Sequence, residues 1–332
     1  MIITRTPFRI SFFGGGTDYP TWYKENGGAV LSTAINKYCY LSCRYLPPFF
    51  KHKYRVVYSF QELVNKIDEI NHPSVRTTLN FLKIKEGIEV HHQADLPAKS
   101  GLGSSSSFTV GLVNALTAMS GEIRNKRQLA LDAIHIEQNL IKENVGSQDQ
   151  TAAAFGGLNR IDFGGAQEIS VQPLITSSDR LELFHGRLML FFTGLSRNAS
   201  EIANEQIKNI KNRSDELKTM HELVNEGAAI LANKKTKLDE FGKLLDTGWK
   251  IKKSLSSKIT SPYLDNIYEA GIRAGALGGK LLGAGGGGFI LFFAKPEVQD
   301  NIRKKLKKYL YVPFQFDHLG SQIIYYANAV NS

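Results

Sequence analysis

The residues able to do chemistry are concentrated in three glycine clusters, at 14–16, 101–103 and 283–288, and in two carboxylates, Glu137 and Asp149. The middle cluster reads Leu96-Pro97-Ala98-Lys99-Ser100-Gly101-Leu102-Gly103-Ser104-Ser105-Ser106-Ser107 and passes from a strand-like into a helix-like segment. Glycines let phosphate oxygens approach the backbone, the first N–H groups of a helix point at an anion, and serines add hydroxyl donors or a metal ligand. The same residues would also make a capped strand-to-helix turn in which serines satisfy orphan amides, so both readings stay open here. A Walker A loop is excluded, because no Gly-Lys-Ser or Gly-Lys-Thr follows the required spacer. The last cluster satisfies GxGxxG at Gly283, Gly285 and Gly288. A dinucleotide fingerprint, however, must follow a strand and open a helix. Here a helix-like stretch is expected before the glycines and the apolar strand Phe289–Phe293 after them. A loop packed against another backbone or a ligand is the better expectation.

Glu137 shares a helical face with Ala130, Ile134 and Ile141. A carboxylate on an apolar face needs a partner, either an Arg or Lys side chain or a metal ion. Asp149 lies twelve residues on, in Ser147-Gln148-Asp149-Gln150, which reads as a capping box that places it in the first turn of the next helix. Asp149 there could simply complement the helix dipole, or it could orient a hydroxyl and take its proton.

These residues need positioning elements. Phe8, Ile10 and Phe12 alternate with Arg9, Ser11 and Phe13, a strand signature that ends at Gly14-Gly15-Gly16. A β-rich stretch follows over 29–45, and another strand carries Ile88, Val90, Ala94 and Leu96. Helices are predicted over 104–119, with Gly121 as stop, and over 127–143. Residues 201–258 are mostly helical, followed by a helix over 262–276, the strand 289–294, a helix over 298–306 and a strand over 322–327. The alternation points to an α+β or α/β fold with a boundary near residues 185–193.

The chain has 332 residues and 36.9 kDa, enough for two domains or one large one. With 42% hydrophobic and 22% charged residues it is of ordinary globular composition, neither disordered nor fibrous. No apolar run approaches a membrane span and no signal peptide is visible, so no membrane partner and a cytoplasmic location are expected. Cys39 and Cys43, the two cysteines present, cannot staple a secreted fold or complete a zinc site. The net charge of +10 lies mainly in residues 186–332 and favours anionic partners. Its lysine runs, such as Lys304, Lys305, Lys307 and Lys308, read as solvated helix faces, and no nucleic-acid module accompanies them.

Taken together, the segments Thr6-Pro7-Phe8-Arg9-Ile10-Ser11-Phe12-Phe13-Gly14-Gly15-Gly16-Thr17-Asp18-Tyr19, 97–107 and 280–288, with Asp149, resemble the kinase superfamily named for galactose, homoserine, mevalonate and phosphomevalonate kinases. Gly15-Gly16 stand where galactokinase-like sequences carry Glu-His. The segment Phe192-Thr193-Gly194-Leu195-Ser196-Arg197-Asn198-Ala199-Ser200-Glu201 is similar to that of the heptose 7-phosphate kinases.

The resemblance implies a two-domain α+β fold: an N-terminal α/β domain on a mixed sheet (residues 1–185) and a C-terminal ferredoxin-like domain (residues 186–332). It implies ATP on the loop formed by Lys99, Gly101, Leu102, Gly103, Ser104, Ser105 and Ser106, with Mg²⁺ held by Glu137 and Ser105, Ser104 being the alternative serine. Asp149 takes the catalytic position, with Arg9 as the cation that keeps it ionised. Gly15, Gly16, Asp18, Arg197, Gly285, Gly286 and Gly287 take the substrate side. Arg197 is the first candidate for a substrate phosphate; Lys51, Lys53 and Arg55 are weaker ones with a plain surface-charge reading. A small-molecule sugar phosphate is the expected partner, nucleic acid is not, and a homodimer is compatible with the family.

Overall fold

A computed structural model describes residues 1–195 and 199–327. The first half contains β1 (Ile2–Phe13), α1 (Pro20–Asn26), β2 (Gly28–Tyr45), β3 (Tyr54–Val57), β4 (Gln61–Val64), α2 (Pro73–Phe81) and β5 (Ile88–Ala94). It continues with α3 (Ser104–Met119), α4 (Lys126–Ile134), α5 (Gln148–Phe155), β6 (Leu158–Phe163), β7 (Ile169–Pro173) and α6 (Ser178–His185). The second half holds β8 (Leu188–Phe192), α7 (Ala199–Asn209), α8 (Ser214–Ala232), α9 (Asp239–Ser254), α10 (Pro262–Arg273), β9 (Gly278–Leu281), β10 (Phe289–Phe293), α11 (Pro296–Lys305), β11 (Leu310–Tyr311) and β12 (Gln322–Tyr326).

The first sheet is mixed and eight-stranded. Its main order is β12-β1-β2-β5-β3-β4, with β6 and β7 extending from β2. All its pairs are antiparallel except β3 with β5. The second sheet is antiparallel in the order β11-β8-β10-β9, the ferredoxin-like arrangement expected from the resemblance.

Sequence and structure part company at three places. First, β12 belongs to the N-terminal sheet, pairing with β1 from Ile2↔Tyr326 to Arg5↔Gln322, so the C-terminal unit does not keep all of 186–332. Second, the helix expected over 127–143 is α-helical only to Ile134 and then widens into a π-helical turn, His135–Ile141. Third, a strand, β9, precedes the last glycine cluster, making it the connection of a β9–β10 hairpin; no helix follows, so the dinucleotide reading stays excluded.

The two halves share a core. Phe12 on β1 meets Phe184 and Phe241 edge-on, each at 5.5 Å between ring centroids, and Phe184 meets Phe241 at 4.8 Å. Phe241 belongs to α9, so burial of these rings fixes α9 against β1. The same contact sets the distance between the charged residues that the two elements carry. Strand β1 is buried on both faces over most of its length, because α3 covers one side and elements of the second half cover the other. Its alternate residues Arg9 and Ser11 therefore face a protein-lined cleft instead of solvent. Cys39 and Cys43 are buried and unpaired.

Candidate active site

Helix α3 starts where the sequence predicts, at Ser104. Its N-cap, Gly103, takes a left-handed conformation (φ 78°), and a Cβ there would lie 3.3 Å from Asp149 Oδ2 and 3.4 Å from Arg9 Cγ. Glycine is thus required twice over, by the backbone conformation and by the approach of the ion pair. The loop is stitched to β1: the Arg9 backbone N–H donates to the Leu102 carbonyl at 3.0 Å, and Arg9 Nη1 donates to the Gly101 carbonyl at 2.8 Å.

Arg9 Nε and Nη2 donate to Asp149 Oδ1 and Oδ2, each at 2.7 Å, a bidentate pair. The Arg9 side chain is 4% exposed and that of Asp149 24%, so the carboxylate alone retains access to the cleft. Asp149 lies in the first turn of α5, as expected. The capping box does not form. Ser147 Oγ instead meets Tyr23 Oη at 3.2 Å and accepts from Gln138 Nε2 at 3.1 Å, while Gln150 turns inward toward Glu137.

One cleft collects Arg9, Gly15, Gly16, Asp18 and Asp149. Lys99, Gly101, Gly103 and Ser104 to Ser106 line it beside them. Leu102 is buried and acts through its carbonyl alone. Asp18 is buried, accepts from the Gly16 N–H at 2.9 Å, and has its carboxyl pushed above the usual range by burial, with Asp149 adding to the effect.

Glu137 sits in the π-helical turn, fully buried, and has no Arg or Lys partner among the described residues. Ser106 Oγ donates to its Oε2 at 2.8 Å and Gln150 Nε2 donates to the same oxygen; Oε1 has no hydrogen-bond partner. Burial pushes the carboxyl up to about 7, helped by Glu143 and opposed first by the nearby Thr109 hydroxyl and then by Ser106 and Gln150. An orphaned carboxylate oxygen beside serine hydroxyls at a phosphate-type loop fits a hard divalent cation. The serine brought to Glu137 is Ser106. Ser105, expected as its co-ligand, is exposed at the mouth of the loop, because helical spacing turns it away from the α3 face that Glu137 meets.

The last glycine loop is placed differently from expectation. Gly283 and Ala284 reach the cleft, whereas Gly285, Gly286 and Gly287 form the layer behind it. The Gly286 N–H donates to the Ile259 carbonyl at 2.8 Å, and a Cβ on Gly287 would lie 2.9 Å from the Leu195 carbonyl oxygen. These glycines allow backbone to pack on backbone, which holds Gly283 against Gly101. Arg197 lies outside the described residues. Lys51, Lys53 and Arg55 do not line the cleft, and Arg55 pairs with Glu89 at 3.0 Å.

Two cleft cations escaped the sequence reading, Lys252 on α9 and Lys280 on β9. Both are buried. The first was hidden in a lysine-rich stretch, although Phe241, Leu245, Trp249 and Lys252 recur at offsets of four, four and three, which puts Lys252 on the apolar stripe.

Among the described residues, no group of three or more His, Cys, Asp or Glu side chains could hold a metal, and no helix is long and apolar enough to cross a membrane.

Residues 69–157 match the family model "GHMP kinases N terminal domain", and residues 228–312 match "GHMP kinases C terminal". A D-glycero-alpha-D-manno-heptose 7-phosphate kinase of Campylobacter jejuni is 31% identical over 92% of this chain and 93% of its own. An L-fucokinase/L-fucose-1-P guanylyltransferase of Bacteroides fragilis is 27% identical over 91% of this chain, which spans only 35% of that larger protein. A crystal structure described as a D-glycero-D-manno-heptose 1-phosphate kinase from Bacteroides thetaiotaomicron superposes with a TM-score of 0.79 at 21% identity, covering 98% of this chain and 100% of that one. Two family models in the right order, and a relative of this identity along nine-tenths of the chain, agree with a serine loop, an Arg–Asp pair and a ferredoxin-like second sheet: the chain belongs to the GHMP kinases, ATP-dependent phosphotransferases with an alcohol group as acceptor.

Proposed function

We propose that this kinase phosphorylates the anomeric (C1) hydroxyl of D-glycero-D-manno-heptose 7-phosphate, giving the 1,7-bisphosphate, in the synthesis of nucleotide-activated heptose. The identity to the Campylobacter jejuni enzyme supports the sugar, as does the small Gly15-Gly16 floor of the cleft where a galactokinase-like site carries larger side chains. The observation that carries the chemistry is the Arg9–Asp149 pair, a carboxylate open to the cleft and held from behind by a buried guanidinium.

Phosphoryl transfer needs an in-line hydroxyl, neutralised charge and little covalent help. Asp18 and the Gly15-Gly16 backbone face the acceptor and orient its hydroxyls. Asp149 accepts the proton of the C1 hydroxyl as its oxygen forms a bond to the γ-phosphorus, and the bond from that phosphorus to the bridging oxygen breaks to release ADP. An anomeric hydroxyl is more acidic than an ordinary alcohol, so a carboxylate held by arginine suffices as base. Arg9 holds both carboxylate oxygens of Asp149 in place and offsets charge on the transferring group. The helix α3 N-terminus and Ser104 to Ser106 receive the triphosphate. Glu137, with Ser106 nearest and Ser105 at the loop mouth, would hold Mg²⁺, which supplies charge neutralisation along the triphosphate.

The fucokinase relative supports a second reading, a kinase for an unphosphorylated sugar. An ADP-release assay comparing heptose 7-phosphate with L-fucose, galactose and unphosphorylated heptose decides between them. Turnover confined to heptose 7-phosphate supports the first reading; preference for a sugar without a phosphate refutes it.

A further inference from the structure

Of the four cations and three carboxylates that line the cleft, Lys99 is exposed and Glu143 half-buried, whereas Arg9, Lys252, Lys280 and Asp18 are buried beside the partly open Asp149. Arg9 neutralises Asp149, which leaves Asp18 to face both Lys252 and Lys280. Neither lysine makes an ion pair among the described residues. Lys252 Nζ donates to the Gly283 carbonyl, and Lys280 Nζ donates to the Phe12 carbonyl at 2.8 Å. An ammonium carries three donors, so each lysine keeps donor capacity beyond its carbonyl. Burial draws Lys252 down to about 8 and Lys280 well below its usual range, with Arg9 contributing to both and Asp18 opposing. A pair of buried cations with one carboxylate to share destabilises the protein unless an anion joins it.

The anchoring of Lys252 says which anion. Its carbonyl partner, Gly283, packs on Gly101, where a Cβ on Gly283 would lie 2.5 Å from the Gly101 Cα. Gly101 is also the residue whose carbonyl takes Arg9 Nη1 at 2.8 Å. Arg9 and Lys252 are therefore tethered to two loops that touch at Gly101. We propose that Lys252 binds an oxygen of the transferring γ-phosphoryl group opposite Arg9, with Lys280 behind it sustaining the positive field. Lys252 is then a catalytic residue and Lys280 a positioning one. The assignment rests on the chain being an ATP-dependent kinase and is independent of which sugar is the acceptor.

The test is calorimetric titration of the full chain with MgATP and with MgADP, for wild type, Lys252→Met and Lys252→Arg, alongside melting temperatures without nucleotide. A hydrogen bond to a charged group contributes about 1.5–3 kcal/mol, so Lys252→Met should weaken ATP binding about 10- to 150-fold. ADP binding should change less than about twofold, since ADP lacks the γ-phosphoryl. Lys252→Arg should recover part of the ATP preference. The nucleotide-free melting temperature of Lys252→Met should hold or rise, because an unpaired buried charge has been removed. An unchanged ATP-to-ADP ratio with a raised acceptor KM would move the cation to the acceptor and overturn the proposal. Equal losses of ATP and ADP binding with a lower melting temperature would overturn it too, by making Lys252 a strut for the Gly283 loop.

Discussion

Glu137→Gln is the substitution whose consequence follows most closely from the geometry. Glutamine is nearly isosteric with a protonated glutamate, and its amide oxygen can take the hydrogen bonds from Ser106 and Gln150 that Oε2 now accepts. In the metal-free chain burial raises the Glu137 carboxyl from 4.5 to about 7. The folded state thus holds this proton more tightly than the unfolded chain does. The stability it contributes is complete below about pH 4.5, declines as pH rises toward about 7 and is gone above it. At about 1.4 kcal/mol per unit, this side chain costs the metal-free protein about 3 kcal/mol at pH 8 relative to pH 4, a cost the glutamine variant escapes. Thermal unfolding in the presence of a chelator, at intervals from pH 5 to 8.5, should show the variant gaining on wild type across that window. With Mg²⁺ and nucleotide the order should reverse above pH 7, because the carboxylate then has a cation. Parallel pH profiles, or equal stabilisation of both proteins by Mg²⁺ with nucleotide, would refute a metal role for Glu137.

Other substitutions read out neighbouring parts of the cleft. Asp149→Ala should lower kcat at least ~100-fold, the scale of losing an acid/base group, with nucleotide affinity in titration little changed; unaltered turnover would remove Asp149 from the mechanism. Gly146→Ala would put a Cβ 1.8 Å from Asp18 Oδ2. Displacing Asp18 should cut kcat/KM for the acceptor by about 100-fold while sparing nucleotide binding, and intact acceptor kinetics would separate Asp18 from the sugar. Gly287→Val meets the Leu195 carbonyl, so it should lower the melting temperature together with activity. Loss of activity at full thermal stability would return Gly287 to the substrate side.

What could be read ahead of the structure depended on how local its cause is. Helix α3 begins and ends where its glycines and apolar spacing put it, since caps and periodicity are written within a few residues. The glycine–serine turn into α3 and the first-turn place of Asp149 have the same local origin. Other features are set by distant partners. The π-helical turn at Glu137 answers to Ser106 and Gln150 on two other helices, and 3.6-residue periodicity says nothing of either. Strand β12 finds β1 across more than 300 residues, a pairing its exposed Ile323–Tyr326 pattern does not announce. Residues Gly278–Leu281 pair with β10 and so extend as a strand, where the sequence reads as a helix over 262–276 followed by a glycine-rich turn. Lys252 carries a local signal, its place on the apolar stripe of Phe241, Leu245 and Trp249, which the surrounding lysines mask, whereas Lys280 is buried only because β9 pairs with β10.

The most direct test of the whole account is phosphorus NMR of the purified chain incubated with MgATP and D-glycero-D-manno-heptose 7-phosphate, with Asp149→Ala run in parallel. Wild type should convert the γ-phosphate signal of ATP into a new anomeric sugar phosphate coupled to H1, with the 7-phosphate signal retained and ADP formed in equal amount, and the variant should not. ADP without an anomeric phosphate, a phosphate on another carbon, or equal conversion by Asp149→Ala would contradict the assignment of this cleft.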